Sequence, residues 1–158
     1  MVEAPRVIRI AAALINDGAG RTLLVRKAGT QAFMQAGGKI EPGERPLDAL
    51  LRELAEELNL SVDPATPRHL GTFHADAANE IGCRVEAEVF HLSASGVFQA
   101  AAELAEAVWV TALEAETLVL APLTRDHVLP LAFGGARSPV REQARQSRSG
   151  APSGKLGR

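Results

Sequence analysis

Three glutamates, Glu53, Glu56 and Glu57, stand three and four residues apart in the stretch RELAEELNL, residues 52–60. On a helix this spacing puts three carboxylates on neighbouring positions, where like charges repel by roughly 0.2–0.5 kcal/mol per pair. They also crowd toward the helix C-terminus, which disfavours anions. A solvated charged face is the ordinary reading of helical glutamates, but such faces interleave both signs. Here Arg52, four residues before Glu56, is the one nearby cation, and no lysine answers Glu53 or Glu57. A hard divalent cation would answer them. Mg²⁺ takes oxygen ligands and commonly shares its site with substrate phosphates.

A helix must carry these groups, and the apolar period supplies it. Leu47, Leu51, Leu54 and Leu58 fall within about 60° on a wheel of about 100° per residue, with Leu50 beside them. The glutamates share an arc of about 100° next to that stripe, Glu57 nearest the apolar edge. Residues 41–44 (EPGE) form a turn before the helix, which starts at Arg45. Asn59, a residue tolerant of the left-handed conformation, ends it. Upstream, residues 7–15 and 22–26 are β-branched, apolar runs joined by turn residues, the pattern of a hairpin with a longer loop. Residues 29–38 read as a loop with a short extended piece at 33–35. Downstream, residues 68–75 and 82–93 are strands; the second alternates Val85, Ala87 and Val89 with Arg84, Glu86, Glu88 and Phe90. Residues 99–107 are an Ala/Glu-rich connector with helical character, and 108–110 a short strand. Thr111 and Glu114 have the spacing of a capping box. Residues 123–133 offer a last helix, interrupted by Pro130. Strands on both sides of one central helix argue for an α/β or α+β fold.

Just before the helix, Gly37 and Gly38 permit close backbone approach, so a carbonyl there could reach a metal held on the helix. Residues 38–60 resemble the Nudix box, G-x5-E-x7-R-E-U-x-E-E-x-G-U, where U is aliphatic. Gly38, Glu44, Arg52, Glu53, Leu54, Glu56, Glu57 and Leu60 are in register, and Asn59 stands where the family has glycine. Asn is the next most tolerated residue in a left-handed cap, so the departure is mild. Ala36 is a second departure, since many relatives carry proline before the paired glycines.

The resemblance implies an α/β/α sandwich with a mixed sheet, in which the box forms loop–helix–loop. It implies hydrolysis of a diphosphate linkage in a nucleoside diphosphate derivative with Mg²⁺, or Mn²⁺ in its place. By position, Glu53, Glu56 and Glu57 would ligate the metal together with the Gly38 carbonyl. Glu53 or Glu56 would also orient or deprotonate the attacking water. Arg52 and Glu44 would brace the box. The short chain resembles members acting on ordinary or oxidised (d)NTPs, which release an NMP and pyrophosphate. ADP-ribose or another nucleoside-diphosphate sugar is the alternative substrate. A non-catalytic nucleotide-binding module is the competing class, but such modules usually lose box glutamates, and all are present here.

Outside the box, Glu88, Glu103 and Glu106 are candidates for an additional acid, each weighed against a solvent-facing role, as is Glu86. Phe33 and Gln35, with Gly37 and Gly38, are candidates for substrate binding. Trp109 reads as core, and His69, His74, His91 and His127 lack metal-ligand spacing. Cys83 alone cannot form an intramolecular disulfide, which fits a reducing compartment. No run approaches 18 apolar residues, and residues 10–15 are too short for a signal-peptide core. A cytoplasmic protein without membrane partners is expected. Residues 134–158 carry six Lys/Arg against one acid, a +5 tail on a body of −7. That tail is expected to be disordered, leaving residues 1–133 as one domain. An acidic body is not the footprint of a specific nucleic-acid binder. A small-molecule nucleotide is the expected partner, and the chain a monomer or homodimer.

Overall fold

The computed structural model describes residues 4–134; the basic tail expected from the sequence lies outside them, apart from Gly134. Seven strands form one mixed sheet: β1 (Arg6–Asn16), β2 (Thr22–Lys27), β3 (Phe33–Met34), β4 (Ala36–Lys39), β5 (Arg68–Asp76), β6 (Cys83–Ser93) and β7 (Leu104–Val110). Helix α1 (Pro46–Leu58) covers one face. On the other lie α2 (Ala112–Ala115), a π-helical turn (Thr124–Val128) and α3 (Leu129–Ala132).

The central strand β1 pairs in parallel with β6 along its whole length, from Arg6↔Cys83 to Asn16↔Ser93. Its other edge is shared: β4 pairs with residues 10–13, and β2 joins at Asn16↔Thr22. Strand β5 extends the sheet beyond β6, and β7 pairs with β2. Alternation along β1 then divides the core. Ala11, Ala13 and Ile15 face α1 with Leu50, Leu54 and Leu58, while Leu14 faces Leu123 and Val128. Each fully buried leucine contributes on the order of 2 kcal/mol.

Three sequence expectations change. The paired glycines, expected in a loop over residues 29–38, belong to a strand, β4, where Gly37 pairs with Ala12 and Gly38 with Ala11. The connector expected to have helical character becomes strand from Leu104 onward. The edge of β2 needs a partner for its backbone groups, and that pairing overrides the intrinsic helical preference of Ala and Glu. The last helix begins as a π-helical turn that closes with Leu129 N–H donating to the Thr124 carbonyl, before the short α3 that contains Pro130. The capping box at Thr111 and Glu114 is formed as expected. Among the described residues no helix is long and apolar enough to cross a membrane.

Candidate active site

The helix that carries the glutamates is well delimited. Arg45 is extended, Pro46 occupies the first turn, where its missing N–H costs nothing, and Asn59 (φ 56°, ψ 32°) turns the chain left-handed. Asn59 N–H donates to the Ala55 carbonyl and Leu60 N–H to the Leu54 carbonyl, the paired bonds of a Schellman end. Its buried residues are Ala49, Leu50, Leu54, Glu57 and Leu58. The stripe is therefore rotated from the line of Leu47, Leu51, Leu54 and Leu58 expected from the sequence. Glu57 lies within it, at 2% exposure, and not at its edge.

The paired glycines make this possible. Glu57 Oε1 accepts the Gly37 N–H at 3.0 Å. A Cβ on Gly38 would fall 2.4 Å from the Glu53 carboxyl carbon, so Glu53 rests directly on a residue without a side chain. On Gly37 a Cβ would fall 2.1 Å from the Ala11 carbonyl oxygen, and its φ of +144° already favours glycine. Burial pushes the Glu57 carboxyl up to about 7; the Gly37 bond and Lys27 oppose the rise, while Glu53 and Glu103 add to it. Burial likewise raises the Glu53 carboxyl against the pull of Arg52.

Arg52 gathers the rest of the box. Its Nε and Nη2 bind the two oxygens of Glu44 at 2.9 Å each, and Nη2 also donates to the Lys39 carbonyl at 3.1 Å. Its Nη1 donates to Glu53 at 3.0 Å and lies 3.6 Å from Glu56, which is half exposed. The bond from Arg52, with a backbone bond in the Glu41–Glu44 turn, holds the Glu44 carboxyl down at about 2. The turn, β4 and α1 are thereby tied at one guanidinium, as expected of a bidentate arginine.

Among the described residues no three His, Cys, Asp or Glu side chains already converge as a metal cage. Glu53 and Glu56 turn toward Arg52, and Glu57 toward Gly37. The donor set nevertheless fits a hard cation. It consists of carboxylate oxygens from a turn and a half of helix, and burial raises the two most shielded of them, Glu53 and Glu57, so a cation there would favour their ionised forms.

A cleft of about 750 Å³, counting space open to solvent, lies on the sheet face opposite α1. Ile8, Ile10, Met34, Val85 and Leu123 give it apolar walls, and the loop after β5 forms one side. Gly37 and Gly38 line it too, so the residues that seat Glu57 and Glu53 are also part of the cleft wall. Lys27, Lys39, Gln35 and Thr124 supply its polar lining.

The remaining sequence candidates separate. Gln35 lines the cleft, whereas Phe33 is packed in a third core cluster with Leu24, Val110 and Ala115. Phe33 lies in β3, whose pairing with β2 turns its ring into that cluster and away from the cleft. Glu88 shares the α1 face, across Ala11 from Gly38 in register, but is held 2.7 Å from His69 Nε2 and accepts from Thr72 at 3.0 Å. Glu86 faces Arg9 and His74. Glu106 is engaged by Arg26 at 2.8 Å. Glu103 is the outside acid that acts on both Glu53 and Glu57. The loop before it is clasped to α1 by Ala101 N–H on the Glu57 carbonyl, and Ala102 takes a left-handed φ of 55°. Trp109 packs against the α1-side core, its Nε1 donating to the Gly96 carbonyl. Lys27 and Thr124 had no signal in the sequence; Thr124 reaches Gln35 across 89 residues.

Comparison with known proteins gives this arrangement a family context. The family model described as NUDIX domain matches residues 6–131. A Haemophilus influenzae protein named 8-oxo-dGTP diphosphatase is 37% identical over 59 residues, 35% of this chain and 43% of that protein. The match thus spans less than half the length of that relative. The MutT structure from a study of Aliivibrio salmonicida and Vibrio cholerae superposes with a TM-score of 0.62 at 21% identity, covering 82% of this chain and 98% of that one. A Francisella tularensis bifunctional NMN adenylyltransferase/ADP ribose pyrophosphatase, solved with AMP and a manganese ion, gives 0.64 at 16% identity over 82% of this chain and 42% of that one. At these identities the two structures speak for the fold.

Proposed function

Because this chain belongs to the Nudix family, we propose that it is a pyrophosphohydrolase that cleaves the diphosphate linkage of a nucleoside diphosphate derivative with Mg²⁺, or Mn²⁺ in its place. The favoured substrate is an ordinary or oxidised (d)NTP, hydrolysed to NMP and pyrophosphate, a reading supported by the partial match to a protein named 8-oxo-dGTP diphosphatase. The observation that carries it is the seating of Glu53 and Glu57 on Gly38 and Gly37, which also line an open cleft with apolar walls and two lysines, Lys27 and Lys39.

Glu53, Glu56, Glu57 and the Gly38 carbonyl would hold the ion. Bound there, it would neutralise phosphate charge and make a coordinated water acidic enough to attack. The chain's own groups do the rest. In the overall reaction an oxygen–phosphorus bond forms from water, the bridging phosphorus–oxygen bond breaks, and the water's proton passes to a carboxylate, Glu53 or Glu56. Glu103 adds negative charge that keeps the neighbouring carboxyls basic. Arg52, through its bidentate hold on Glu44, fixes the helix against the turn, so the carboxylates keep their places as charge develops. Lys27 and Lys39 line the cleft and are the cations available to phosphate oxygens.

The test is product release with Mg²⁺ across dNTPs, 8-oxo-dGTP, ADP-ribose, NADH and dinucleoside polyphosphates. A (d)NTP or its oxidised form is expected to give the highest kcat/KM, and Glu56→Gln to lower it at least about 100-fold. No turnover across the panel would leave a binding module as the better reading. ADP-ribose as the best substrate would replace the (d)NTP assignment while retaining the reaction.

A further inference from the structure

Among the described residues, one buried side-chain nitrogen lacks any hydrogen-bond partner, Nε2 of Gln35. Buried amides are almost always satisfied at both ends, so an orphaned one calls for an explanation. Gln35 is 6% exposed, and its Oε1 accepts from the hydroxyl of Thr124 at 2.9 Å. Thr124 is fully buried in the π-helical turn, which fixes the amide from one side and leaves the N–H₂ as the free end. Both residues line the cleft, among Ile8, Ile10, Val85 and Leu123.

Resting on the hydrolase reading above, we propose that Gln35, oriented by Thr124, selects the nucleobase by donating Nε2–H to a carbonyl oxygen on the base edge. The apolar walls suit the faces of a planar ring, and the paired glycines lead from this wall toward the carboxylates. A donor in that wall matches bases with an exocyclic carbonyl: guanine, hypoxanthine, uracil and the oxidised purines that keep O6. It opposes bases with an amino group there, adenine and cytosine, because two N–H groups would face each other and both would lose their partner on desolvation. A site built around a buried polar group rejects analogues that leave that group unpaired.

Matched pairs test this. dITP and dATP differ in carrying a carbonyl or an amino group at position 6, and UTP and CTP differ in the same way at position 4. For wild type, kcat/KM is expected to favour dITP over dATP and UTP over CTP by about 10–100-fold, the cost of leaving a buried donor unpaired. Gln35→Leu should erase the preference by losing the carbonyl substrates, and Gln35→Glu, which offers acceptors only, should reverse it. Thr124→Val keeps the volume, frees Oε1 and lets the amide turn over, so discrimination should fall there too. It carries the same test should Gln35→Leu fail to fold.

Calorimetric binding of dIMP and dAMP, without metal, reads the same preference apart from turnover. Preferential dIMP binding that depends on Gln35, in a protein that hydrolyses nothing, would overturn the hydrolase reading and leave this one standing. Equal treatment of both pairs by wild type, or a preference that survives Gln35→Leu, overturns the assignment of Gln35.

Discussion

Glu57→Gln is expected to make the metal-free protein more stable at neutral pH while destroying its activity. Glu57 sits inside the buried stripe of α1, and its carboxyl is raised from 4.5 to about 7. A group whose folded value lies above its unfolded value contributes stability that is full below pH 4.5 and lost as pH rises through 7. Each unit is worth about 1.4 kcal/mol, so holding Glu57 ionised at pH 8 costs about 3 kcal/mol. Glutamine cannot ionise, and its side-chain oxygen can still accept the Gly37 N–H. In EDTA at pH 8 the variant should therefore exceed wild type by about 2–3 kcal/mol in urea unfolding, and by roughly 5–10 °C in Tm for a chain of this size. At pH 4 the two should coincide. Mg²⁺ should narrow the gap by binding the folded wild type, and turnover of the variant should be lost. Glutamine less stable than wild type at pH 8, or a gap that ignores pH, would refute the reasoning.

Gly38→Ala should fold but lose at least about 100-fold in kcat/KM, because its Cβ collides with the movable Glu53 carboxylate. Gly37→Ala, whose Cβ meets the Ala11 backbone, should instead cost about 3 kcal/mol or more of stability in chemical denaturation. Arg52→Lys cannot grip both Glu44 oxygens and reach Glu53 and the Lys39 carbonyl. A loss of about 10–100-fold in kcat with a smaller change in melting is expected, and the Glu44 carboxyl, followed by NMR titration, should rise from about 2 toward its ordinary range. Asn59→Gly should leave Tm unchanged or slightly raised, whereas Asn59→Ala, forced to the same left-handed φ, should lower stability by about 1 kcal/mol.

The elements that carry the chemistry were legible because they are local. The leucine period marked α1, Asn59 marked its end, and the glutamates with Gly38, Glu44 and Arg52 matched a pattern confined to 23 residues. Side-chain placement was less legible, because it depends on what α1 and the sheet meet. A wheel drawn through the leucines leaves out Ala49 and Glu57, both of which the structure buries in the same stripe of α1. Leu104 begins a strand that its Ala- and Glu-rich neighbours disguise, since the edge of β2 supplies the reason and lies 77 residues earlier at Lys27. Phe33 and Gln35 were equal candidates in the sequence. One turns into the core, and the other reaches the cleft, where its partner Thr124 could not have been found from local spacing.

The pairing of β1 with β6 also sets an order of assembly. Arg6 meets Cys83, and Arg9 meets Glu86, across 77 positions, whereas β4 and α1 reach β1 within the first 58 residues. At a synthesis rate of roughly 5–20 residues per second, β1 waits on the order of 4–15 s for its parallel partner after emerging. The helix bearing the carboxylates can dock on Ala11 and Ala13 during that interval, but the strands that complete the cleft cannot. The segment that forms the acidic helix is thus synthesised before the strands that complete the cleft, and until β6 follows, one edge of β1 has no partner. Conditions that slow elongation between Lys39 and Cys83 prolong that exposure, and the yield of folded protein should fall accordingly.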